Sequence, residues 1–174
     1  YRRTDQITPA FEKFFCKVIK QHLLADGTID SERAAWLRRL ILIDGKVSEI
    51  RAVWSEEGTV RMLDQRILPH RVEVLGFRDH HRVAEAIKDM TVRGAPAIGV
   101  AAAYGMMLAA NNGEDLEKAA KELKGTRPTA FDLFFAVDHM LSRIREGEDP
   151  ADSAEEYAET IVERCRLIGE HGER

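Results

Sequence analysis

Apolar positions along the chain fall into a series of helical stripes, broken once by strand-like alternation. Phe11, Phe14, Phe15, Val18, Ile19 and Leu23 recur at spacings of three and four, which predicts an amphipathic helix from Pro9 to Leu24. Asp26-Gly27 stops it. Asp30 is a ready N-cap for a second helix, on which Trp36, Leu37, Leu40 and Ile41 share a face, and Asp44-Gly45 ends that one. The pair reads as a helical hairpin over residues 1–49, with residues 1–8 a frayed end. The texture changes near Ile50. Arg51–Trp54 and Thr59–Asp64 alternate around a Glu57-Gly58 turn, and Val72–Phe77 is a third candidate strand. These three predict a small antiparallel sheet lying on helices.

Helical spacing then returns. Asp79 caps a helix reaching to about Met90, with Val83, Ala84 and Ile87 inward. Met90 to Met107 reads as a polar turn followed by a helix almost free of charge and bulk: Ala97, Ile98, Gly99, Val100, three alanines, Tyr104 and Gly105. Asn112-Gly113 breaks that helix, and Leu116, Ala119, Ala120 and Leu123 place the next. A further helix is expected from Thr129 to Arg145, with Phe131, Phe134 and Phe135 as an aromatic face assigned to the core. Gly147–Pro150 links it to a last amphipathic helix from Ala151 to Ile168. The fold class is α+β and mostly helical, a three-stranded antiparallel sheet packed on a helical bundle. The organisation is a hairpin extension over 1–49 and a domain over 50–174.

Two places carry candidate chemistry. Thr91 to Pro96 presents Arg93 and Gly94 just before Pro96, a residue suited to the first turn of a helix. A helix start offers free N–H groups and the positive end of the dipole, so it suits an anion. Gly94 allows a sharp turn and close approach, and the Arg93 guanidinium matches phosphate oxygens. Thr126-Arg127-Pro128-Thr129 repeats the logic, an arginine before a proline able to open a helix. Two such starts point to two arginines converging on one phosphorylated ligand. The same residues equally describe tight turns with solvated arginines before packing helices.

Other groups promise less. Asp64-Gln65-Arg66 at a strand end reads as a turn of solvated charges, though it could line a cleft. Asp26, Asp30 and Glu32 lack the spacing of a calcium loop, and turn and cap chemistry explains them. No histidines stand at HxxxH or HExxH spacing, so no metal is expected, and His80-His81 in a first helical turn are expected to be exposed. Cys165 has no evident activating base. GxGxxG and phosphate-loop patterns are both missing.

Composition narrows the classes. The 174 residues carry a net charge of −4 with no basic run, which argues against nucleic acid as a partner. Cys16 and Cys165 are too far apart in sequence to form a CxxC pair, and a reduced, cytoplasmic setting fits. Ala97–Ala110 is too short to span a bilayer, so no membrane partner is expected, and no secretory signal is present. A start at Tyr1 and a charged end at Glu170–Arg174 read as a fragment.

Five segments occur in an order that carries a resemblance: IRAVW (Ile50–Trp54), VRMLDQRILP (Val60–Pro69), MTVRGAPAIGVAAAYG (Met90–Gly105), TRPTAFDLFFAVDHM (Thr126–Met140) and IGEHG (Ile168–Gly172). Over about residues 50–174 the chain resembles the N-terminal half of the S-methyl-5-thioribose-1-phosphate isomerases, within the wider family of initiation factor 2B alpha, beta and delta subunits. The resemblance implies an N-terminal domain of a two-domain isomerase in methionine salvage. It implies a Rossmann-like C-terminal domain that is absent here, and a homodimer for the complete protein. It implies that Arg93, Gly94, Ala95 and Arg127 hold a small phosphorylated sugar, with no cofactor. The catalytic cysteine and aspartate lie beyond the IGEHG segment, so no catalytic residue is expected within this chain, and the fragment alone is expected to be inactive. Alternatives within the resemblance are a regulatory subunit that binds a sugar phosphate or nucleotide without catalysis, and a ribose-1,5-bisphosphate isomerase. Residues 1–49 lie outside that pattern and resemble the helical repeats of tellurite-resistance TerB-like modules.

Overall fold

A computed structural model describes residues 42–43, 46–47, 51–68 and 70–172. The helices expected between Pro9 and Ile41, and the TerB-like likeness, lie outside the described residues. The first described elements are two short strands, β1 (Leu42–Ile43) and β2 (Lys46–Val47), paired antiparallel. A meander follows: β3 (Val53–Glu56), β4 (Thr59–Leu63) and β5 (Val74–Phe77), antiparallel in that order. Val53 faces Met62 and Val60 faces Phe77. The β3–β4 turn has Glu57 and Gly58 both at positive φ, 49° and 69°, as a two-residue hairpin of right-handed twist requires. Val60 and Met62 are fully buried on the face turned to the helices.

Among the described residues five helices complete the domain: α1 (His80–Lys88), α2 (Ala95–Asn111), α3 (Leu116–Thr126), α4 (Phe131–Arg145) and α5 (Pro150–Gly172). α2 is the axis. Every residue from Ile98 to Ala109 is buried, and the helix touches α1, α3, α4, α5 and β3. A helix apolar all round belongs inside a core. Its alanines and glycines let neighbours approach closely. A Cβ on Gly99 would stand 3.0 Å from Tyr157 Oη and 3.2 Å from the Asp132 backbone oxygen. One on Gly105 would stand 3.2 Å from both Leu123 Cδ2 and Val83 Cγ1. Among the described residues, no helix is long and apolar enough to cross a membrane.

Helix ends follow local rules. Asp79 accepts from Arg82 N at 2.9 Å, and Asp115 from Glu117 N at 3.0 Å. Asp149 accepts from Ala151 N at 2.8 Å, so α1, α3 and α5 each start on an aspartate cap. α2 and α4 close with paired backbone bonds, Glu114 N to Ala109 O and Glu148 N to Arg143 O, each with a glycine (Gly113, Gly147) in the left-handed position. α1 closes the same way through Thr91 N to Ala86 O, but Met90 occupies the left-handed position at φ 65°.

Three expectations need correction. Phe131, Phe134 and Phe135 are not a core face: Phe131 is 79% exposed and Phe135 46%, with only Phe134 packed against the core. The inward stripe of α4 is Leu133, Ala136, Val137, Met140 and Leu141, which is the better fit to helical period. Pro128 does not open α4. It sits in a turn closed by Ala130 N to Arg127 O at 3.0 Å, and the helix begins at Phe131. His80 is buried, because it shares the α1 face with Val83, Ala84 and Ile87, whereas His81 is exposed.

The close approach at Gly99 meets a backbone atom that cannot yield. Gly99→Val is therefore expected to destabilise the domain by about 1–3 kcal/mol through overpacking. Gly105→Ala should cost less, because flexible side-chain tips face it and alanine favours the helix by about 1 kcal/mol. Urea denaturation of the two variants checks the order.

Candidate functional site

Arg93 and Gly94 occupy the connection between α1 and α2, and Gly94 is the N-cap of α2 at φ 91° and ψ 131°. A side chain is strained at that φ, whereas the space around Gly94 is open, with no atom within 4 Å of where a Cβ would stand. Ala95 is the first helical residue and Pro96 the second, one position later than its expected place. No side chain caps this helix start. The first-turn N–H groups, Ala95 and Ala97 among them, therefore lack helix partners.

The turn is held from below by the Asp64-Gln65-Arg66 triplet. Gln65 Oε1 accepts from Arg93 N at 2.7 Å, and Gln65 N donates to Thr91 O at 2.9 Å. Arg66 forks onto Asp64, Nε to Oδ1 at 2.8 Å and Nη2 to Oδ2 at 2.6 Å, and its Nη1 reaches Asp89 Oδ2 at 2.6 Å. Asp89 Oδ1 accepts from Thr91 N at 2.9 Å and from Thr91 Oγ1 at 2.7 Å. One guanidinium thus ties the end of β4 to the turn in front of α2. Its hydrogen bond holds the buried Asp64 carboxyl below the usual aspartate value, against the opposing push of burial. The field of Arg93 adds to that lowering. The triplet is a framework for the turn rather than a set of solvated charges.

Arg127 is the half-buried C-cap of α3, at φ −140° and ψ 80°. Thr126 Oγ1 donates to Leu123 O at 2.6 Å and closes the last turn of that helix. α4 starts from Ala130, also with no side-chain cap. The contact of Gly99 with the Asp132 carbonyl sets the first turns of α2 and α4 side by side. Among the described residues, these two neighbouring helix starts lack a side-chain cap, and each is preceded by an arginine. Neither guanidinium has a hydrogen bond or ion pair among the described residues. Ala95 is exposed at the same end.

Beside this end lies an apolar hollow of about 290 Å³ between β3, the α2 start and α5. Val53, Pro96, Val100, Ile161 and Cys165 line it, and Arg93 and Arg127 do not. Cys165 is exposed there. Deeper in, Tyr104 Oη donates to Glu155 Oε2 at 2.5 Å, and Arg51 pairs with Glu155 and Glu159. Burial and the carboxylate push the Tyr104 phenol far up, so it stays protonated.

Residues 91–174 match the model of the initiation factor 2 subunit family. Over this stretch, just under half of the chain, the sequence is similar to that family. A putative methylthioribose-1-phosphate isomerase of Methanocaldococcus jannaschii is 46% identical over 123 residues, which are 70% of this chain and 37% of that protein. The methylthioribose-1-phosphate isomerase of Thermus thermophilus is 54% identical over 86 residues, 49% of this chain and 26% of its own length. The crystal structure of 5-methylthioribose 1-phosphate isomerase from Pyrococcus horikoshii is 38% identical with a TM-score of 0.52, covering 71% of this chain and 37% of that one. The delta subunit of translation initiation factor eIF-2B from A. fulgidus is 34% identical with a TM-score of 0.54, covering 67% of this chain and 37% of that one. The chain spans well under half the length of these relatives.

The sign of the Asp64 effect fixes a pH dependence. Its folded pKa lies below the ordinary aspartate value of 3.8, so its contribution is present above that value and is lost as pH falls through the folded pKa. Asp64→Asn should cost about 1–3 kcal/mol at neutral pH, since Arg66 is partly exposed. The variant should also lose less further stability than the parent between pH 4 and pH 2. Urea midpoints across that range check both outcomes.

Proposed function

We propose that this chain is the phosphate-holding N-terminal domain of an aldose–ketose isomerase that converts 5-methylthioribose 1-phosphate to 5-methylthioribulose 1-phosphate. The observation that carries this reading is the pair of uncapped helix starts, α2 and α4, each behind an arginine with no bonded partner among the described residues. The other described helices satisfy their starts with Asp79, Asp115 and Asp149. The isomerase names of the relatives supply the substrate.

In this reading, phosphate oxygens accept from Ala95 N and other free N–H groups of the α2 start, over the open face of Gly94. Arg93 and Arg127 neutralise the dianion from two sides. Anchoring the phosphate fixes C1 of the sugar, to which it is esterified. The ring must then open before a proton moves from C2 to C1. A carboxylate and a polar partner have to move that proton in a water-poor site, and the rest of the protein supplies them. We assign residues 50–174 to this domain and residues 1–49 to an appendage. The exposed Phe131, Phe135 and Ile168 suit burial against a Rossmann-like second domain and a second copy in a homodimer.

The likeness to the initiation-factor subunit supports a second reading, sugar-phosphate binding without turnover. Activity of the complete protein separates the two. Turnover of methylthioribose 1-phosphate is expected for the complete protein and none for the 174-residue chain; turnover by the latter would refute the assignment. In the complete protein, Arg93→Ala should weaken substrate binding by about 1.5–3 kcal/mol, roughly 10- to 150-fold. Unchanged kcat/KM in that variant would remove Arg93 from the site.

A further inference from the structure

The other end of α2 carries a cluster that the phosphate site does not use. α2 has 17 residues, so its ends are about 25 Å apart. At its C-terminal end, Asn112 Nδ2 donates to Arg78 O at 3.1 Å and draws in the start of α1, where His80 and His81 stand. Glu114 follows the glycine turn after α2, and Glu122 projects from α3. His81 Nδ1 lies 2.8 Å from Glu122 Oε2, and His80 Nε2 lies 3.4 Å from the same oxygen. On its other edge, His80 Nδ1 lies 2.9 Å from Glu114 Oε2 without hydrogen-bond geometry to it, and the atom is wholly buried. Ligand atoms of His80, His81 and Glu122 can all be chosen within 4.8 Å of one another.

We infer that His80, His81 and Glu122 form a binding site for a divalent transition-metal ion of the zinc type. Two imidazoles and a carboxylate are a donor set that suits such an ion. Donors around a tetrahedral ion stand about 3.3 Å apart, so the observed separations ask for rotamer adjustment only. His80 Nε2 and His81 Nδ1 face the ion together with Glu122. With a small turn of the ring, His80 Nδ1–H donates a hydrogen bond to Glu114, which fixes the tautomer, orients the ring and satisfies the buried nitrogen. A dication beside a helix start is unfavourable by itself, and the carboxylates of Asp79, Glu114 and Glu122 offset it. The ion fastens the start of α1 to the middle of α3. Histidine spacing along the sequence does not show this site, because its third ligand comes from another helix.

Zinc titration of the metal-free 174-residue chain by calorimetry, with melting temperature in parallel, tests the site. One equivalent should bind in the micromolar range or tighter and raise the melting temperature, whereas magnesium should do neither. His81→Ala and Glu122→Gln alter exposed side chains, and circular dichroism checks that they fold. Each should weaken zinc binding roughly tenfold or more. No binding at about 100 µM zinc would overturn the inference. So would parent-like affinity in both variants, which would place the ion elsewhere.

Discussion

The domain depends on one steric constraint: α2 has no bulk where its neighbours cross it. Gly99 makes room for the Asp132 carbonyl and the Tyr157 hydroxyl, and Gly105 for Leu123 and Val83. Four helices and a sheet can share one axis only if that axis is narrow. The same constraint governs the site. Because α4 rests directly on Gly99, its first turn comes level with the first turn of α2, and two helix starts open at one end. Packing and the pairing of two uncapped helix starts are therefore two consequences of one run of small residues.

The turn in front of α2 is fixed by a second device. Arg66 joins Asp64 to Asp89, Asp89 holds Thr91, and Gln65 holds the backbone of Arg93. Met90 carries a left-handed conformation in the middle of this network, where a glycine would be the ordinary choice. Strain of this kind persists where surrounding bonds over-determine the backbone. The result is a turn whose backbone, the Arg93 N–H included, is set in place from the end of β4.

Much of this was legible in the sequence. Alternation around Glu57-Gly58 located the meander, and the glycine-bearing helix ends at Asn112-Gly113 and Gly147 were readable from local chemistry. The run from Ala97 to Ala109 announced a buried helix by its lack of charge. What was not legible was three-dimensional. The identity of Phe131, Phe134 and Phe135 drew attention away from the smaller residues that keep the helical period on α4. Asp64-Gln65-Arg66 looked like solvated charge because its partners, Asp89 and Arg93, lie far along the chain. His80 met Glu114 and Glu122 only through the packing of α1 on α3. Arg93 and Gly94 stood out by physics alone. Arg127 stood out by an argument from Pro128 that the structure replaces, since the arginine closes α3 and the proline belongs to the turn after it.

The central claim is that the adjoining starts of α2 and α4 receive one phosphate. Backbone amide chemical shifts of the 174-residue chain, followed through a titration with inorganic phosphate, test it most directly. The account predicts saturable shifts concentrated at Gly94, Ala95, Ala97 and the Ala130–Asp132 amides, with none at His80 or His81. Shifts confined to one of the two helix starts, or no saturable shift at either, would contradict it.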